Sequence, residues 1–553
     1  MNKINVKICL GTTCYVMGAS DLQMMKEFLP ENLADKVLLC GSPCLDYCFE
    51  QEVNGKPPFV EINGKVLGEA TIEKVTELIK KKWKMTFTNK AMLIRRELMK
   101  HFCDIVLNGK TYKAFDRIPY IMRLKNGDAT RCCIYKDRAV LRYKIMAMLG
   151  IGFYEEEDEL KRISEYLEED NEADNDFDLT VVDEACSSCI KKNYVITNAC
   201  KGCVARPCQV NCPKDAVLFR DGKAFIDASR CINCGMCMKA CPYHAIIYQP
   251  VPCEEACPVN AIYKDDEGNE RIDEERCILC GKCMVSCPFG AIVEKSSLLD
   301  VLNHIRNGEK LVAMVAPSII GQYNNDIKTL KDGMKVLGFH DVIEVAVGAE
   351  LTSREEAKEL DEAVSQNRLL TTSCCPSYVE LVERHIPKIR HNVSATPTPA
   401  CFTSQRVKEN YPDALQVFIG PCLAKKSEAR KNPSIDYVLN FEELGAMFMS
   451  EKLDVSSQHN QRYSDEINNK ARGFAFSEGV TASVLSFSKN NAIKNDFING
   501  ISKKEVRRLR KITKENLQFL EVMACEGGCA GGPSSIANER HIKKKHHQCM
   551  SSV

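Results

Sequence analysis

Two nearly identical cysteine runs in the middle of the chain constrain its fold more than any other feature. Each run has the spacing Cys-x2-Cys-x2-Cys-x3-Cys-Pro, the first from Cys231 to Pro242 and the second from Cys277 to Pro288. Three closely spaced thiolates can wrap one metal centre, while the proline turn directs the fourth thiolate away from it. The spacing therefore predicts metal centres that are each built from a pair of runs.

Partner runs precede both segments: Cys200-x2-Cys203-x4-Cys208-x3-Cys212-Pro precedes the first, and Cys253-x3-Cys257-Pro precedes the second. This arrangement resembles bacterial ferredoxins, which bind 4Fe-4S clusters. It predicts three cluster sites and a fourth that gathers the remaining cysteines of the segment. The predicted ligand sets are Cys200, Cys203, Cys208 and Cys241; Cys212, Cys231, Cys234 and Cys237; Cys257, Cys277, Cys280 and Cys283; and Cys186, Cys189, Cys253 and Cys287.

Other uses of cysteine explain this pattern less well. The chain has 31 cysteines, but disulfide scaffolds are short and secreted, whereas this chain has 553 residues and groups its cysteines. Zinc also binds four thiolates with Cys-x2-Cys spacing, yet zinc knuckles do not account for the interlocked Cys-Pro endings. Iron–sulfur ligation is therefore the better interpretation.

Length and charge bound the remaining possibilities. A single hydrophobic core stops growing near about 300 residues, so we expect several domains. Lys plus Arg and Asp plus Glu balance at 75 each, which indicates neither a nucleic-acid nor a membrane partner. The sequence shows no secretory signal and no apolar stretch of about 18 residues, so we expect a cytoplasmic protein. It also lacks a nucleotide-binding glycine loop.

The chain is predicted to be an α+β multidomain protein with four parts. Residues 1–84 alternate short strands with helical patterns and form a small α/β domain. Residues 85–180 form a helical segment that runs into an acidic linker, and residues 181–295 contain the cysteine runs. Residues 296–553 alternate apolar strands with helices, which is typical of an α/β domain.

The first domain resembles thioredoxin-like 2Fe-2S domains. It contains Cys9-x4-Cys14 and, after a gap, Cys44-x3-Cys48 followed by an apolar strand. The resemblance implies a 2Fe-2S cluster on Cys9, Cys14, Cys44 and Cys48. Cys40 is a competing ligand, because Cys40-x3-Cys44 has the same spacing, and a redox or zinc pair is the other alternative.

Three strings in the last domain together resemble the signature loops of FeFe-hydrogenases. They are TTSCCPSY at 371–378, GPCLAKKSE at 420–428 and EVMACEGGCAGGP at 521–533. The resemblance covers residues 296–553 and implies a catalytic H-cluster, which joins a 4Fe-4S cubane to a diiron subsite. Its implied cubane ligands are Cys375, Cys422, Cys525 and Cys529, with Cys529 bridging to the diiron subsite.

Further residues match positions around the H-cluster in that family. Lys425 matches the lysine that hydrogen-bonds an iron-bound cyanide, and Cys374 matches the proton-relay thiol. Glu356, Ser394 and Glu359 match the next relay positions, although each alone has an ordinary structural interpretation. The implied cofactor pocket is lined by Met523, Ala316, Pro317 and Ser318.

Four departures resemble a divergent, group B-like branch of the family, and one of them is the short Gly-Gly-Pro that ends the final loop. Gly420 stands where the best-known members carry Met, Tyr378 replaces a common Trp, and Ala363 replaces an arginine at the outer end of the relay. The departures concern packing and the proton exit, and they leave the cubane ligands unchanged.

The resemblance implies an enzyme that interconverts H2 with protons and electrons. It also implies ferredoxin or a flavoprotein as electron carrier, and dedicated maturation proteins as assembly partners. A non-catalytic iron–sulfur assembly factor, a hydrogen sensor and a subunit of a bifurcating complex are the alternatives. Cys374, Lys425 and the Cys525/Cys529 pair argue against the assembly factor, and we find no signalling module that would indicate a sensor.

Overall fold

The computed structural model divides the chain into two compact units, 1–88 and 89–553. Among the described residues, no helix combines the length and apolar character needed to cross a membrane. The described residues are 4–14, 17, 19, 22–23, 25–29, 37–45, 47, 55–72, 74–76, 79, 90–127, 129–154, 160–169, 177–186, 189, 193–323, 327–453, 455, 467, 469–490, 492–537 and 539–550.

The first unit contains a four-stranded sheet in the order β2-β1-β3-β4. Strand β1 pairs in parallel with β2 and antiparallel with β3. The segment INVKIC forms β1 because it alternates buried and exposed side chains, the period expected of a strand with one buried face. The strands are β1 (Ile4–Cys9), β2 (Val37–Ser42), β3 (Val60–Ile62) and β4 (Lys65–Leu67).

The second unit begins with helices that pack on its C-terminal half. Arg95 and Arg96 both form ion pairs with the buried carboxylate of Glu442, about 350 residues further along the chain. Two charged contacts to one buried acid stabilise the docking of this segment. The helices are Lys90–Leu107, Ile118–Met122, Ile134–Leu149 and Ile163–Glu168.

Short antiparallel strand pairs flank the cysteine runs, and each run includes a short helix that contains one of its cysteines. At the start of one such helix, Gly281 has a φ of +70°, a conformation that favours glycine. The pairs are β5 (Leu179–Val181) with β12 (Ile292–Glu294), β6 (Asn193–Ile196) with β9 (Ile246–Gln249), β7 (Val217–Arg220) with β8 (Lys223–Ile226), and β10 (Ile262–Lys264) with β11 (Glu270–Ile272). The helices are Pro207–Val210, Met236–Ala240, Pro252–Ala256 and Lys282–Ser286.

Two all-parallel sheets form the centre of the C-terminal region, in the orders β14-β13-β16-β17 and β15-β19-β18. Every residue of LVAMV in β13 and of FLEVM in β19 is buried, as expected for parallel strands covered on both faces. The strands are β13 (Leu311–Val315), β14 (Asp341–Glu344), β15 (Leu370–Thr371), β16 (Leu415–Ile419), β17 (Tyr437–Leu439), β18 (Asn495–Asn499) and β19 (Phe519–Met523).

Helices surround these sheets. The longest of them, Ala346–Ser365, buries Glu356 on the side that faces the protein interior. The others are Leu298–Arg306, Ile327–Val336, Pro376–His385, Pro399–Asn410, Lys425–Lys431, Phe441–Ser450, Asn469–Arg472, Gly479–Leu485, Lys503–Leu509 and Glu539–Met550.

Candidate functional site

A cavity of about 80 Å³ lies where four parallel strands end. The loops after β13, β15, β16 and β19 all contribute to its wall. Since the carboxyl ends of parallel strands meet at one edge of a sheet, residues far apart in sequence converge there. The predicted site residues that line the cavity are Ala316, Pro317, Cys374, Cys375, Cys422, Lys425, Met523, Cys525 and Cys529.

Four thiols from three loops face this cavity: Cys375, Cys422, Cys525 and Cys529. Each of these cysteines is partly exposed to solvent, because its side chain borders the cavity. Burial raises the pKa of all four thiols, and that of Cys529 reaches about 11. Thiols in such a place need a metal centre to hold them as thiolates, which is the form that binds iron.

Lys425 is held by an ion pair with Glu428, three residues later on the same helix. Burial lowers the pKa of Lys425, but the Glu428 carboxylate more than offsets this and raises it overall. Its Nζ also lies 5.5 Å from the centre of the Phe418 ring. The cavity therefore has a fixed positive charge beside its thiols.

Cys374 lies in the cavity wall next to the predicted ligand Cys375. Burial and then the Glu356 carboxylate raise the pKa of Cys374 well above its ordinary value. Glu356 is fully buried, and burial raises its pKa to about 8. Neither oxygen of Glu356 accepts a hydrogen bond from a described residue. The Ser394 side chain and the Ser373 backbone nevertheless lie close enough to lower the pKa of Glu356, which partly offsets the effect of burial.

The remaining predicted relay residues lead outward from Glu356. Ser394 is 6% exposed, and its Oγ donates a hydrogen bond of 2.7 Å to Glu359 Oε2. The Glu359 carboxylate also accepts from the Ala395 amide at 3.1 Å and from Thr396 Oγ1 at 3.0 Å. The structure thus brings all four predicted relay side chains into one connected region.

Two predicted accessory sets each line a small cavity of their own. Cys200, Cys203, Cys208 and Cys241 surround one, as the sequence pairing predicted. Cys212, Cys231, Cys234 and Cys237 surround the other. The interlocked assignment, in which each run lends its last cysteine to its neighbour, therefore agrees with the positions of these side chains.

The cysteines of the other two sets affect one another's pKa values, which shows that they lie near each other. The pKa of Cys283 is raised by burial and by Cys280, Cys277 and Cys257. Burial raises the pKa of both Cys189 and Cys253, and smaller contributions come from Cys186 and Cys287 to the first and from Cys287 to the second. No three His, Cys, Asp or Glu side chains in the described ranges lie close enough for a single metal ion. A cubane spreads its four thiolates more widely than a single ion does.

Cys280 belongs to the third accessory set but also lines the central cavity. It contributes to the raised pKa of Cys525, after burial and the neighbouring cavity thiols. A Cβ atom at Gly281 would lie only 2.8 Å from two carbons of the Pro533 ring. The accessory segment and the third signature loop are therefore in close contact at this glycine.

Three protein-family descriptions match the cysteine-rich segment and the region that contains the central cavity. Residues 309–518 match the family described as iron only hydrogenase large subunit, C-terminal domain. Residues 224–247 match the 4Fe-4S binding domain, and residues 247–298 match the LdpA Fe-S cluster-binding domain. The chain is an FeFe-hydrogenase-like protein with iron–sulfur domains. The predicted α/β hydrogenase catalytic domain and ferredoxin-like domain are confirmed.

Individual relatives are distant. Iron hydrogenase 1 of Clostridium pasteurianum is 28% identical over 397 residues, which cover 60% of this chain and 69% of that protein. The NADP-reducing hydrogenase subunit HndD of Solidesulfovibrio fructosivorans is 25% identical over 307 residues, which cover 43% and 52%. A solved FeFe-hydrogenase structure, from work on oxygen inactivation of its H cluster, is 19% identical with a TM-score of 0.39, covering 46% and 88%.

Packing accounts for the departures of this FeFe-hydrogenase-like protein from the family pattern. A Cβ atom at Gly420 would lie 2.7 Å from the Phe418 ring, so the phenylalanine occupies the space of a larger side chain. Tyr378 is fully buried, and its hydroxyl donates to Thr371 Oγ1 at 2.8 Å. Ala363 lies fully buried in an apolar cluster. Tyr378 and Ala363 are thus core side chains, whereas at Gly420 the Phe418 ring takes up the available space.

One predicted pocket residue is not brought to the cavity. Ser318 is fully buried and is absent from the cavity wall, unlike its neighbours Ala316 and Pro317. Its Oγ has no hydrogen-bond partner among the described residues. The resemblance of residues 316–318 to the family's cavity loop implied a place in the wall for Ser318, but this residue is buried within the short 3-10 turn Pro317–Ile319.

The predicted 2Fe-2S ligands of the first unit are described only in part. Cys9 and Cys14 are buried at the two ends of one turn, and Cys44 is exposed. A Cβ atom at Gly11 would lie 3.1 Å from Cys44 Sγ, so Cys44 borders that turn. Cys40 is exposed on β2, and Cys48 lies outside the described residues. The thioredoxin-like 2Fe-2S domain stays a prediction.

Glu428 and Glu521 are two residues of the site that sequence reasoning did not single out. Glu428 fixes Lys425, and its place three residues later on a helix could have identified it. Glu521 is fully buried and accepts from the Thr481 amide at 2.8 Å. Both residues lie within the three signature strings, but the roles inferred from those strings were assigned to their cysteines, lysine and methionine.

Proposed function

We propose that this protein catalyses 2H+ + 2e− ⇌ H2 at an H-cluster in the central cavity. The observation that carries the proposal is the meeting of four thiols from three loops with Lys425 and Cys374 around one cavity. The donor set fits the group, because a cubane needs four thiolates and the diiron subsite needs a cation and a proton donor beside it. Similarity to hydrogenases supports the same redox class.

In this proposal Cys375, Cys422, Cys525 and Cys529 would hold the cubane, and Cys529 would also link the protein to the diiron subsite. When bound, the H-cluster supplies the metal pair at which hydrogen is split or formed. The protein supplies a mainly apolar pocket, in which Met523 is only 3% exposed. Such a pocket excludes bulk water and strengthens every polar contact within it.

Lys425 orients the cofactor in this proposal. Its ion pair with Glu428 keeps the ammonium group charged and pointing along a fixed direction. A charge-assisted hydrogen bond from Lys425 to a cyanide ligand would anchor the diiron subsite, which otherwise has a single covalent link to the protein.

Cys374, Glu356, Ser394 and Glu359 move protons between the cavity and the surface in this proposal. Burial keeps the Glu356 carboxyl protonated at neutral pH, so it can donate as well as accept. Glu359, which is half-buried, ends the series near solvent. The Ser394 hydroxyl between the two carboxyls can pass a proton in either direction, because it both donates and accepts.

The accessory cysteine sets would hold clusters that carry electrons to and from the central cavity. The third set adjoins the cavity at Cys280. Its cluster would therefore be the accessory cluster next to the H-cluster. The other sets extend the path towards the surface of the cysteine-rich segment, where Cys234 is exposed. We infer a ferredoxin or flavoprotein as the carrier that exchanges electrons there.

Infrared spectroscopy of anaerobically matured protein tests the proposed function. We expect carbonyl and cyanide stretching bands together with hydrogen production, because only a bound diiron subsite supplies both. Protein produced without maturation proteins is the control and should show neither. Matured protein with full iron content but no such bands would contradict the proposal and favour a non-catalytic assembly factor. Bands without turnover would favour a sensor.

Replacing Glu356 by glutamine should change how stability depends on pH. The pKa of Glu356 is about 8 in the folded protein and lower when unfolded, so folded wild type loses stability as pH rises from about 4.5 to 8. The glutamine amide stays neutral throughout, and the stability of Glu356→Gln relative to wild type should therefore rise by more than about 1 kcal/mol over that window.

Anaerobic urea unfolding at both ends of this pH window measures the effect. Glu355→Gln is the matched control, because Glu355 is exposed on the same helix and should leave the profile unchanged. Parallel profiles for wild type and Glu356→Gln would show that Glu356 is already ionised in the folded protein. Hydrogen production by the variant should also fall, because the amide that replaces the carboxyl cannot transfer protons.

Replacing Gly281 by valine should slow electron delivery while leaving the catalytic cofactor bound. The added side chain would collide with Pro533 and push the third accessory set away from the cavity. Gly268→Val is the control, since Gly268 also has a positive φ but nothing within 4 Å of its added Cβ. We expect hydrogen production from a reduced carrier to fall several-fold only for Gly281→Val, with unchanged infrared bands. Equal loss in both variants would contradict the close contact.

A further inference from the structure

A second cavity, of about 380 Å³, lies in the helical segment to which the sequence analysis attached no chemistry. Its wall combines the helix Ile134–Leu149 with Pro288 and Phe289, the two residues after Cys287. The volume falls in the range of small-molecule sites, roughly 300–1,000 Å³. It is separate from the cavity that the proposed function uses.

Three cationic side chains and one carboxylate reach this second cavity: Arg123, Arg131, Lys144 and Asp137. Asp137 is 3% exposed and already accepts hydrogen bonds from the Thr130 amide at 2.6 Å and from Thr130 Oγ1 at 2.8 Å. The Nε atoms of Arg123 and Arg131 lie 3.7 and 3.8 Å from its oxygens, which is too far for hydrogen bonds. One carboxylate therefore faces an excess of positive charge.

Lys144 is the decisive member of this group. It is only 6% exposed, and its side chain forms no hydrogen bond or ion pair with any residue in the described part of the chain. An enclosed ammonium group without an acceptor is unfavourable, and an anion beside it removes the penalty.

Arg123 also has hydrogen-bonding capacity to spare. Its NH1 group donates to the carbonyl of the preceding residue Met122 at 2.7 Å, but its buried Nε has no hydrogen-bond partner among the described residues. Arg131 donates hydrogen bonds from NH1 to the carbonyl of Ala185 and from NH2 to the carbonyl of Phe289, which fixes its position at the cavity. Two unsatisfied cationic donors thus face the same space from different elements.

We propose that this cavity binds a small organic anion whose carboxylate or phosphate group is held by Lys144 and Arg123, with Arg131 adding charge. Buried Val140 and Leu141 and the half-exposed Phe289 form an apolar wall for the rest of the ligand. The site is therefore an amphipathic one, in which charge selects the anionic group and the apolar wall selects its attached body. Asp137 disfavours a second anionic group at the same position.

Isothermal titration calorimetry of the anaerobically purified full-length protein tests this proposal with two probes. Inorganic phosphate reports on a phosphate ligand, and butyrate reports on a carboxylate with a short apolar chain. Sodium chloride at matched ionic strength is the blank. We expect saturable binding of at least one probe with a stoichiometry near one. The stronger of the two identifies which anionic group the site takes.

Lys144→Met retains much of the side-chain shape and removes its charge, so binding should weaken by about tenfold or more. Lys136→Met is the matched control, because Lys136 is exposed on the same helix and should bind as wild type does. Arg123→Gln gives a second, independent variant with the same expected direction. It decides the matter if Lys144→Met does not fold.

Saturable heat lost in Lys144→Met or Arg123→Gln but kept in Lys136→Met supports the site. Absence of saturable binding of either probe to wild type at millimolar concentrations would overturn it, as would equal binding to wild type and both cavity variants. A changed cluster reduction potential in Lys144→Met without any anion binding would also overturn it. That result would assign Lys144 to the predicted cluster on Cys287.

Discussion

Replacing Cys529 by alanine is expected to abolish both the carbonyl and cyanide infrared bands and hydrogen production. Cys529 is the only proposed ligand shared by the cubane and the diiron subsite, so its loss removes the covalent link between them. Lys425 alone contributes a charge-assisted hydrogen bond, which is far weaker than a metal–thiolate bond. We therefore expect a complete loss, with no residual fraction of active enzyme.

The local fold should tolerate this change. Cys529 lies in the 3-10 turn Gly528–Gly531, and alanine fits the same backbone without a new clash. Cys132→Ala is the control, because Cys132 is exposed and belongs to no predicted cluster set. Both variants should retain the accessory clusters, seen as unchanged ferredoxin-type signals in electron paramagnetic resonance. Bands and turnover that persist in Cys529→Ala would remove the basis of the proposed function.

The accessory ligand sets could be predicted from sequence because their information is local. A spacing of two or three residues followed by proline fixes where each thiolate points, whatever surrounds it. The two sets led by Cys200 and Cys231 accordingly line two separate cavities. The cubane ligands were assigned from the resemblance of the three signature strings to the family, and all four thiols border one cavity.

Contacts between distant segments could not be predicted in this way. The ion pairs of Arg95 and Arg96 with Glu442 join residues about 350 positions apart, and no periodicity links them. The same holds for Gly281 against Pro533 and for Cys280 in the wall of the central cavity. Such contacts depend on how whole elements pack, which a single sequence does not encode in any short pattern.

Adjacency in sequence also misleads where the backbone turns. Ala316 and Pro317 line the cavity, whereas the next residue, Ser318, is directed into the core by a 3-10 turn. At Gly420 an added Cβ atom would lie 2.7 Å from the ring of Phe418, which is only two residues earlier in the chain. The prediction of the pocket residues was therefore less accurate in side-chain direction than in fold class.

Replacing Cys374 by alanine should have the second largest effect, a loss of about 10²- to 10⁴-fold in hydrogen turnover with the infrared bands retained. The thiol lies in the cavity wall beside Cys375, and its pKa is raised by burial and by Glu356, so it holds its proton until an acceptor draws it away. Alanine removes the protonatable group that joins the cavity to Glu356, while it leaves the four cubane ligands in place.

Two measurements separate a proton-transfer role for Cys374 from a structural one. Cys374→Asp restores a protonatable group of similar size and should recover part of the turnover, whereas Cys374→Ser, whose hydroxyl is a much weaker acid, should not. The infrared bands of all three variants should match those of wild type. Loss of the bands in Cys374→Ala would make Cys374 a packing residue, because a relay thiol contributes to proton movement and not to cofactor retention.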